Sequence, residues 1–273
     1  MKLATIRQGG STLAVRLDGD SATVIDGATD VGALLADPAW RARAEAAAAP
    51  LDAAALDFAP LVPRPDKIVC VGLNYRSHVL EMGRELPEYP TLFAKFRSSL
   101  IGAHDEIELH PAVRSLDWEA ELAVVIGSAV RNADETAARA AIAGFSVLND
   151  VTARDWQHRT LQWLQGKTFE HSTPFGPALV TTDQFDGTAG AITCVVNGET
   201  MQQSDISDLV FGPAALVSYI STIVTLLPGD LIATGTPGGV GSARTPPRFL
   251  AVGDSVVTRI EGLGELRNTC TGS

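Results

Sequence analysis

The sequence predicts a mixed α/β fold, mainly β, with a small α+β domain over residues 1–62 and a larger domain over residues 63–273. Three observations lead there. Short apolar runs recur between turn signals such as Asn197-Gly198, Pro228-Gly229 and Gly253-Asp254 without regular alternation with helices, which argues for a largely antiparallel architecture and against a doubly wound sheet. The proline-punctuated stretch LDFAPLVPRP interrupts the chain just ahead of DKIVCVGLNY, a new apolar strand. With 273 residues, 45% of them hydrophobic and 19% charged, the chain can also bury a sizeable core.

In the amino-terminal part, LATIR, STLAVRL and SATVI read as short strands, and the alanine-rich stretch 41–49 reads as a helix stopped by Pro50. Beyond the boundary, strands are expected at IVCVGL, TLFAKF, LAVVIG, GFSVLND, PALVTT, AITCVVNG, DLIATG and DSVVTRI. Helices are expected over 76–83, 133–143, 152–164 and 213–226.

The formal net charge of -11 and the isoelectric point near 4.8 exclude nucleic acid and anionic membrane surfaces as expected partners, because both require a basic face. No apolar run approaches the roughly 18 residues of a membrane span, and the amino terminus lacks the apolar segment of a secretory signal, so a cytoplasmic location is expected. Cys70, Cys194 and Cys270 are odd in number and widely spaced, which predicts inert thiols and neither a disulfide framework nor a zinc site.

Two glutamates open the apolar run in LDWEAELAVVIGS. In a strand, positions i and i+2 share a face about 6 to 7 Å apart, so Glu119 and Glu121 look the same way. If that face is buried, the pair requires protons, ion-pair partners or a cation; a solvent-facing pair at a strand end is the ordinary alternative. In FSVLNDVTARDWQ an apolar strand runs into Asp150, which alone reads as a helix cap and together with the glutamates makes an all-carboxylate set suited to a hard cation such as Mg²⁺. In GLNYRSHVLEMG, His78 and Glu81 stand one helical turn apart, so the carboxylate can orient the imidazole as a general base; such pairs also decorate exposed helices. Lys167 in LQGKTFEHSTPFGPALV suits a fixed cation near an anion or a solvated surface position, and DLIATGTPGGVG is either a loop offering N–H groups and hydroxyls to oxyanions or a structural turn.

Taken in order, these five motifs resemble the fumarylacetoacetate hydrolase superfamily over residues 63 to 270. The resemblance implies a β-roll catalytic domain behind a small amino-terminal domain, a homodimer, and one divalent metal, Mg²⁺ first with Mn²⁺ or Ca²⁺ as alternatives. It implies Glu119, Glu121 and Asp150 as metal ligands, His78, Glu81 and Lys167 as catalytic residues, and Arg154, Gln157, Gly235 and Thr236 as substrate-binding residues. Where fumarylacetoacetase proper carries an additional metal-binding aspartate, this chain has Asn74 and Tyr75, which points to the acylpyruvase-like and isomerase/decarboxylase-like branch. The expected activity is hydrolysis of a C–C bond in a small anionic β-diketo or 2-oxo acid of the acylpyruvate or fumarylpyruvate type, as in aromatic catabolism, through a metal-stabilised enolate. The alternative is a decarboxylase or an isomerase/tautomerase of a 2-oxo dicarboxylate resembling oxaloacetate or 2-hydroxyhepta-2,4-diene-1,7-dioate. A non-catalytic protein that keeps the fold is the third class.

Overall fold

The computed structural model describes residues 1–19, 21–47, 49–52, 56–81 and 83–272. Five strands, β1 (Lys2–Gln8), β2 (Ser11–Asp18), β3 (Ser21–Val24), β4 (Ala49–Asp52) and β5 (Asp57–Phe58), and two helices, α1 (Val31–Leu35) and α2 (Trp40–Ala46), come from the amino-terminal part. Asp30 caps α1 by accepting the Ala33 N–H at 2.8 Å. The helix expected over 41–49 is shorter, and Ala48 lies outside the described residues. Pro50, expected to stop that helix, instead sits inside β4, at the end of the sheet, where a missing N–H costs no ladder bond on the outer side.

The rest of the chain begins with β6 (Ile68–Gly72), α3 (Arg76–Glu81), β7 (Thr91–Ala94), β8 (Leu100–Ile101), β9 (Ile107–Leu109), β10 (Leu116–Asp117) and β11 (Ala120–Ile126). It continues through α4 (Glu135–Ala140), β12 (Ile142–Asn149), β13 (Thr152–Ala153), α5 (Arg154–Gln157), α6 (Leu164–Lys167) and β14 (Thr173–Thr181). It closes with β15 (Ala191–Val196), β16 (Glu199–Asp205), α7 (Pro213–Ile223), β17 (Leu231–Ala233), β18 (Ser255–Ile260) and β19 (Gly264–Gly272). The mainly β, mixed architecture expected from the sequence is what forms. One sheet runs β4-β3-β2-β1-β14-β12-β11-β17-β6-β7, and a second runs β16-β15-β18-β19-β9. Because β1 pairs with β14 (Lys2↔Val180, Leu3↔Leu179), the first sheet passes without interruption from the amino-terminal strands into the larger part.

Strand β11 lies between β12 and β17, and all seven of its residues are buried. Its side chains divide by parity: Leu122, Val124 and Ile126 pack into one core cluster, Ala123 and Val125 into another. Each of the larger aliphatic side chains contributes about 1.5–3 kcal/mol by leaving water. The apolar run that precludes an exposed strand in the sequence is therefore the central one of the sheet, covered on both faces.

The long helix expected over 152–164 does not form. Thr152 and Ala153 pair with β10 instead (Asp117↔Thr152, Leu116↔Ala153), the Thr152 hydroxyl donates to the Asp150 carbonyl at 2.7 Å, and only the short helices α5 and α6 follow. Here strand pairing overrides local helix propensity. The other helices are trimmed versions of those expected: α4 starts after Asp134, whose carboxylate accepts the Ala137 N–H at 2.8 Å, and α7 starts with Pro213 in its first turn.

Candidate active site

The pairing of β11 with β12 sets Ala120 opposite Asn149 and Glu121 opposite Leu148, so the residue after β12, Asp150, arrives beside Glu119. The Asp150 N–H donates to the Glu119 carbonyl at 2.8 Å. One carboxylate oxygen each from Glu119, Glu121 and Asp150 lies within 4.8 Å of the others, and all three residues are buried. The odd-numbered row of β11 that carries Ala123 and Val125 into the core thus begins with the two glutamates.

Three buried cations answer this charge. The Lys167 ammonium lies 2.6 Å from Glu119 Oε2 and 2.8 Å from Asp150 Oδ2. Lys95 reaches Asp150 Oδ1 at 2.7 Å, and the Arg154 guanidinium pairs with Glu119 Oε1 at 2.7 Å. Burial alone would raise the Asp150 pKa, but Lys167 and Lys95 outweigh it and hold the carboxyl below its usual range. Burial likewise opposes the charge on Lys167, yet Asp150 and Glu119 hold its pKa above the ordinary lysine value. Glu121 differs. Among the described residues its hydrogen-bond partner is the Gly235 N–H, at 2.8 Å, and burial, then Asp150 and Glu119, push its pKa well above the usual carboxylate value. A buried carboxylate that meets two like charges, and feels Lys167 only at a distance without an ion pair among the described residues, requires a proton or a positive ion. Three convergent carboxylates with only oxygen donors fit a hard divalent cation.

Above this floor opens a cleft of about 370 Å³ lined by His78, Arg84, Arg154, Gln157, Lys167 and Thr236, with Glu119 and Glu121 at its base. A larger surface groove of about 650 Å³, at Arg7, Asp105 and His171, holds none of the expected site residues. His78 is half-buried on α3. The Glu81 side chain, its expected partner, lies outside the described residues. Lys167 ends α6 fully enclosed. Arg154 donates through its NH1 group to Gln157 Oε1 at 3.0 Å, which brings both expected substrate-facing residues to one wall. Gly235 and Thr236 divide their roles. Gly235 has φ +100, a Cβ there would lie 2.9 Å from the Val71 carbonyl, and its N–H serves Glu121; the Thr236 hydroxyl accepts from Gln202 Nε2 at 2.8 Å.

Several residues escaped the sequence reading. Lys95 lies in TLFAKF, Asp117 stands two residues before Glu119, and Gln202 binds the Ala120 N–H at 2.9 Å as well as Thr236. A charge inside an apolar run was the available signal for the first two. Asn74, noted only as a departure from a metal-binding aspartate, bridges the Phe211 and Thr234 carbonyls at 3.0 and 2.8 Å.

The fold has known relatives. The family model described as fumarylacetoacetate (FAA) hydrolase C-terminal matches residues 67–271. The rat protein named oxaloacetate tautomerase Fahd2a, mitochondrial, is 48% identical over 213 residues, which are 77% of this chain and 68% of that one. The solved structure of fumarylacetoacetate hydrolase from Exiguobacterium antarcticum superposes with a TM-score of 0.89 at 31% identity over 100% of both chains. That of maleylpyruvate hydrolase from Sphingobium sp. SYK-6, in complex with manganese(II) and pyruvate, superposes with a TM-score of 0.81 at 26% identity, again over 100% of both chains. The cytoplasmic location expected from the amino terminus is overturned by the relatives, whose names, like that of the rat protein, place them in mitochondria. By the length of the family match and by the level of identity, this chain belongs to the fumarylacetoacetate hydrolase family.

Proposed function

We propose that this chain is a metal-dependent tautomerase of a small 2-oxo dicarboxylate of the oxaloacetate type. The observation that carries the reading is the Glu119, Glu121 and Asp150 cluster at the base of a cleft that also presents His78, Arg154 and Lys167. The similarity to a protein named oxaloacetate tautomerase moves the emphasis from C–C hydrolysis, placed first by the sequence, to the isomerase alternative. Glu119, Glu121 and Asp150 would hold a divalent cation, Mg²⁺ or Mn²⁺, which when bound supplies Lewis-acid polarisation of the 2-oxo group.

The chain's own groups do the rest. Arg154 and Lys167 present fixed positive charge to a carboxylate and to the negative charge that develops on the 2-oxygen. His78, reaching the cleft from the opposite element α3, takes a proton from C3 and returns it to the 2-oxygen, so that keto and enol forms interconvert with no atom lost. Phe93 and Trp163, packed edge to face with centroids 5.3 Å apart, form an apolar side of the cleft that limits water.

The test is an enol-absorbance assay of oxaloacetate with Mg²⁺- or Mn²⁺-loaded protein, run beside acid release from acylpyruvates and fumarylpyruvate and beside CO₂ release. Interconversion faster than the buffer rate, without acid or CO₂, supports the reading; release of a carboxylic acid would transfer it to hydrolysis, which the likeness to maleylpyruvate hydrolase favours. We carry the homodimer and the division near residue 62 forward as proposals, the first to be read from the sedimentation mass and the second from the limited-proteolysis pattern.

A further inference from the structure

Asp117 is fully buried and does not line the cleft, yet two of the groups it accepts from, Ser242 and Arg154, belong to residues that do. Its Oδ1 accepts the Trp118 N–H at 2.8 Å and the Gly241 N–H at 2.7 Å. Its Oδ2 accepts the Ser242 N–H at 2.9 Å and Arg154 Nε at 2.8 Å. Two pieces of wall far apart in the chain, α5 and the glycine-rich segment after Thr236, therefore meet on one carboxylate. The neighbouring Trp118 strengthens the link, since its indole N–H donates to the Gly239 carbonyl at 3.2 Å. Gly241 permits the approach: a Cβ there would stand 1.9 Å from the Arg248 carbonyl and 2.8 Å from Asp117 Oδ1.

The charge balance gives this contact a purpose. Arg154 is shared between Asp117 and Glu119, and Glu119 also serves Lys167 and the expected cation. Any group that draws on Glu119 loosens one side of the guanidinium. The Nε bond to Asp117 keeps the fork oriented while its NH1 group holds Gln157 on the cleft wall and its NH2 group pairs with Glu119.

We infer that Asp117 is a positioning residue: it holds the Arg154 guanidinium and the 239–243 segment together as one anion-binding wall. The inference deepens the proposed function and rests on this cleft being the active site. Steady-state kinetics of Mn²⁺-loaded full-length Asp117→Asn with oxaloacetate, together with calorimetric titration by oxalate, test it. KM and the oxalate Kd should each rise about tenfold or more while kcat changes less than about threefold. Because Asp117 acts largely through Arg154, Asp117→Asn combined with Arg154→Gln should bind oxalate within about threefold of Arg154→Gln alone. Unchanged Kd and KM, or fully additive effects in the double variant, would overturn the inference. If Asp117→Asn does not fold, Ser242→Pro removes a single donor to Asp117 and should raise the oxalate Kd about threefold; no change overturns the inference equally. A parent protein that binds oxalate without interconverting oxaloacetate refutes the tautomerase reading and leaves the oxalate arm to decide on Asp117, whereas a parent that binds neither overturns both.

Discussion

The floor of the cleft and its rim are built on opposite terms. Glu119, Glu121, Asp150, Lys95 and Lys167 sit on or beside the central strands, all buried and, Glu121 excepted, held in ion pairs. The rim that carries His78 is the six-residue helix α3, with Arg76, Ser77 and Leu80 exposed. Its moorings include a bridge from Tyr75 to Leu209 and the Ser77 N–H and hydroxyl, both donated to Asp208. The difference teaches a division of labour. Under the proposed function, carboxylates that gather a cation must be fixed and desolvated, whereas the group that moves a proton must meet the substrate as it enters.

Replacing Glu121 by Gln should sharpen this contrast most. It removes a buried carboxyl that has no ion pair among the described residues, so the melting temperature of the metal-free protein should rise, while Mn²⁺ affinity measured by calorimetry falls about a hundredfold or more and turnover is lost. A variant that keeps both affinity and turnover would remove Glu121 from the floor. Next in size, His78→Ala should cut tautomerisation by about a hundredfold or more with Mn²⁺ affinity changed less than about twofold. Parallel loss of metal binding would break the division between rim and floor.

Stability should separate the floor from the surface. Lys95→Met leaves one lobe of the buried Asp150 carboxylate without its cation and should cost about 3 kcal/mol in denaturant unfolding. Arg7→Ala breaks two bridges, to Asp57 and Asp105, but the arginine is more than a third exposed and the cost should stay below about 1 kcal/mol. Equal losses would contradict the contrast. The smallest effect concerns the thiols. Cys70, Cys194 and Cys270 are buried, and burial, above all, raises their pKa values, to about 12 for Cys194 and Cys270, so a disulfide reagent at mildly alkaline pH should label none of them quickly before denaturation.

Much of the floor was legible in one dimension. The i, i+2 spacing of Glu119 and Glu121 followed by an unbroken apolar run implied one face and a covered strand, and β11 has both. The turn at Asn197-Gly198 was equally local: Asn197 has φ +52 and Gly198 +81 between β15 and β16. The segment after Asp150 was not legible, because its helical composition lost to pairing with β10. No local spacing marked Lys95, one lysine in a strand, or Asp117, which lies inside LDWEAELAVVIGS but outside its i, i+2 glutamate pair.

By itself the sequence determined what depends on near neighbours: the alternation that sorts β11 into two cores, the turns, and the shared face of two glutamates. The tertiary structure alone decided which charges meet. Lys95 and Asp150 are 55 positions apart, and Asp117 and Gly241 are 124 apart. Such partners are chosen by strand order and register, which no local spacing encodes. Only in the folded core, where water no longer screens them, does it matter that Glu119, Asp150 and Asp117 are ion-paired and that Glu121 has no ion pair among the described residues.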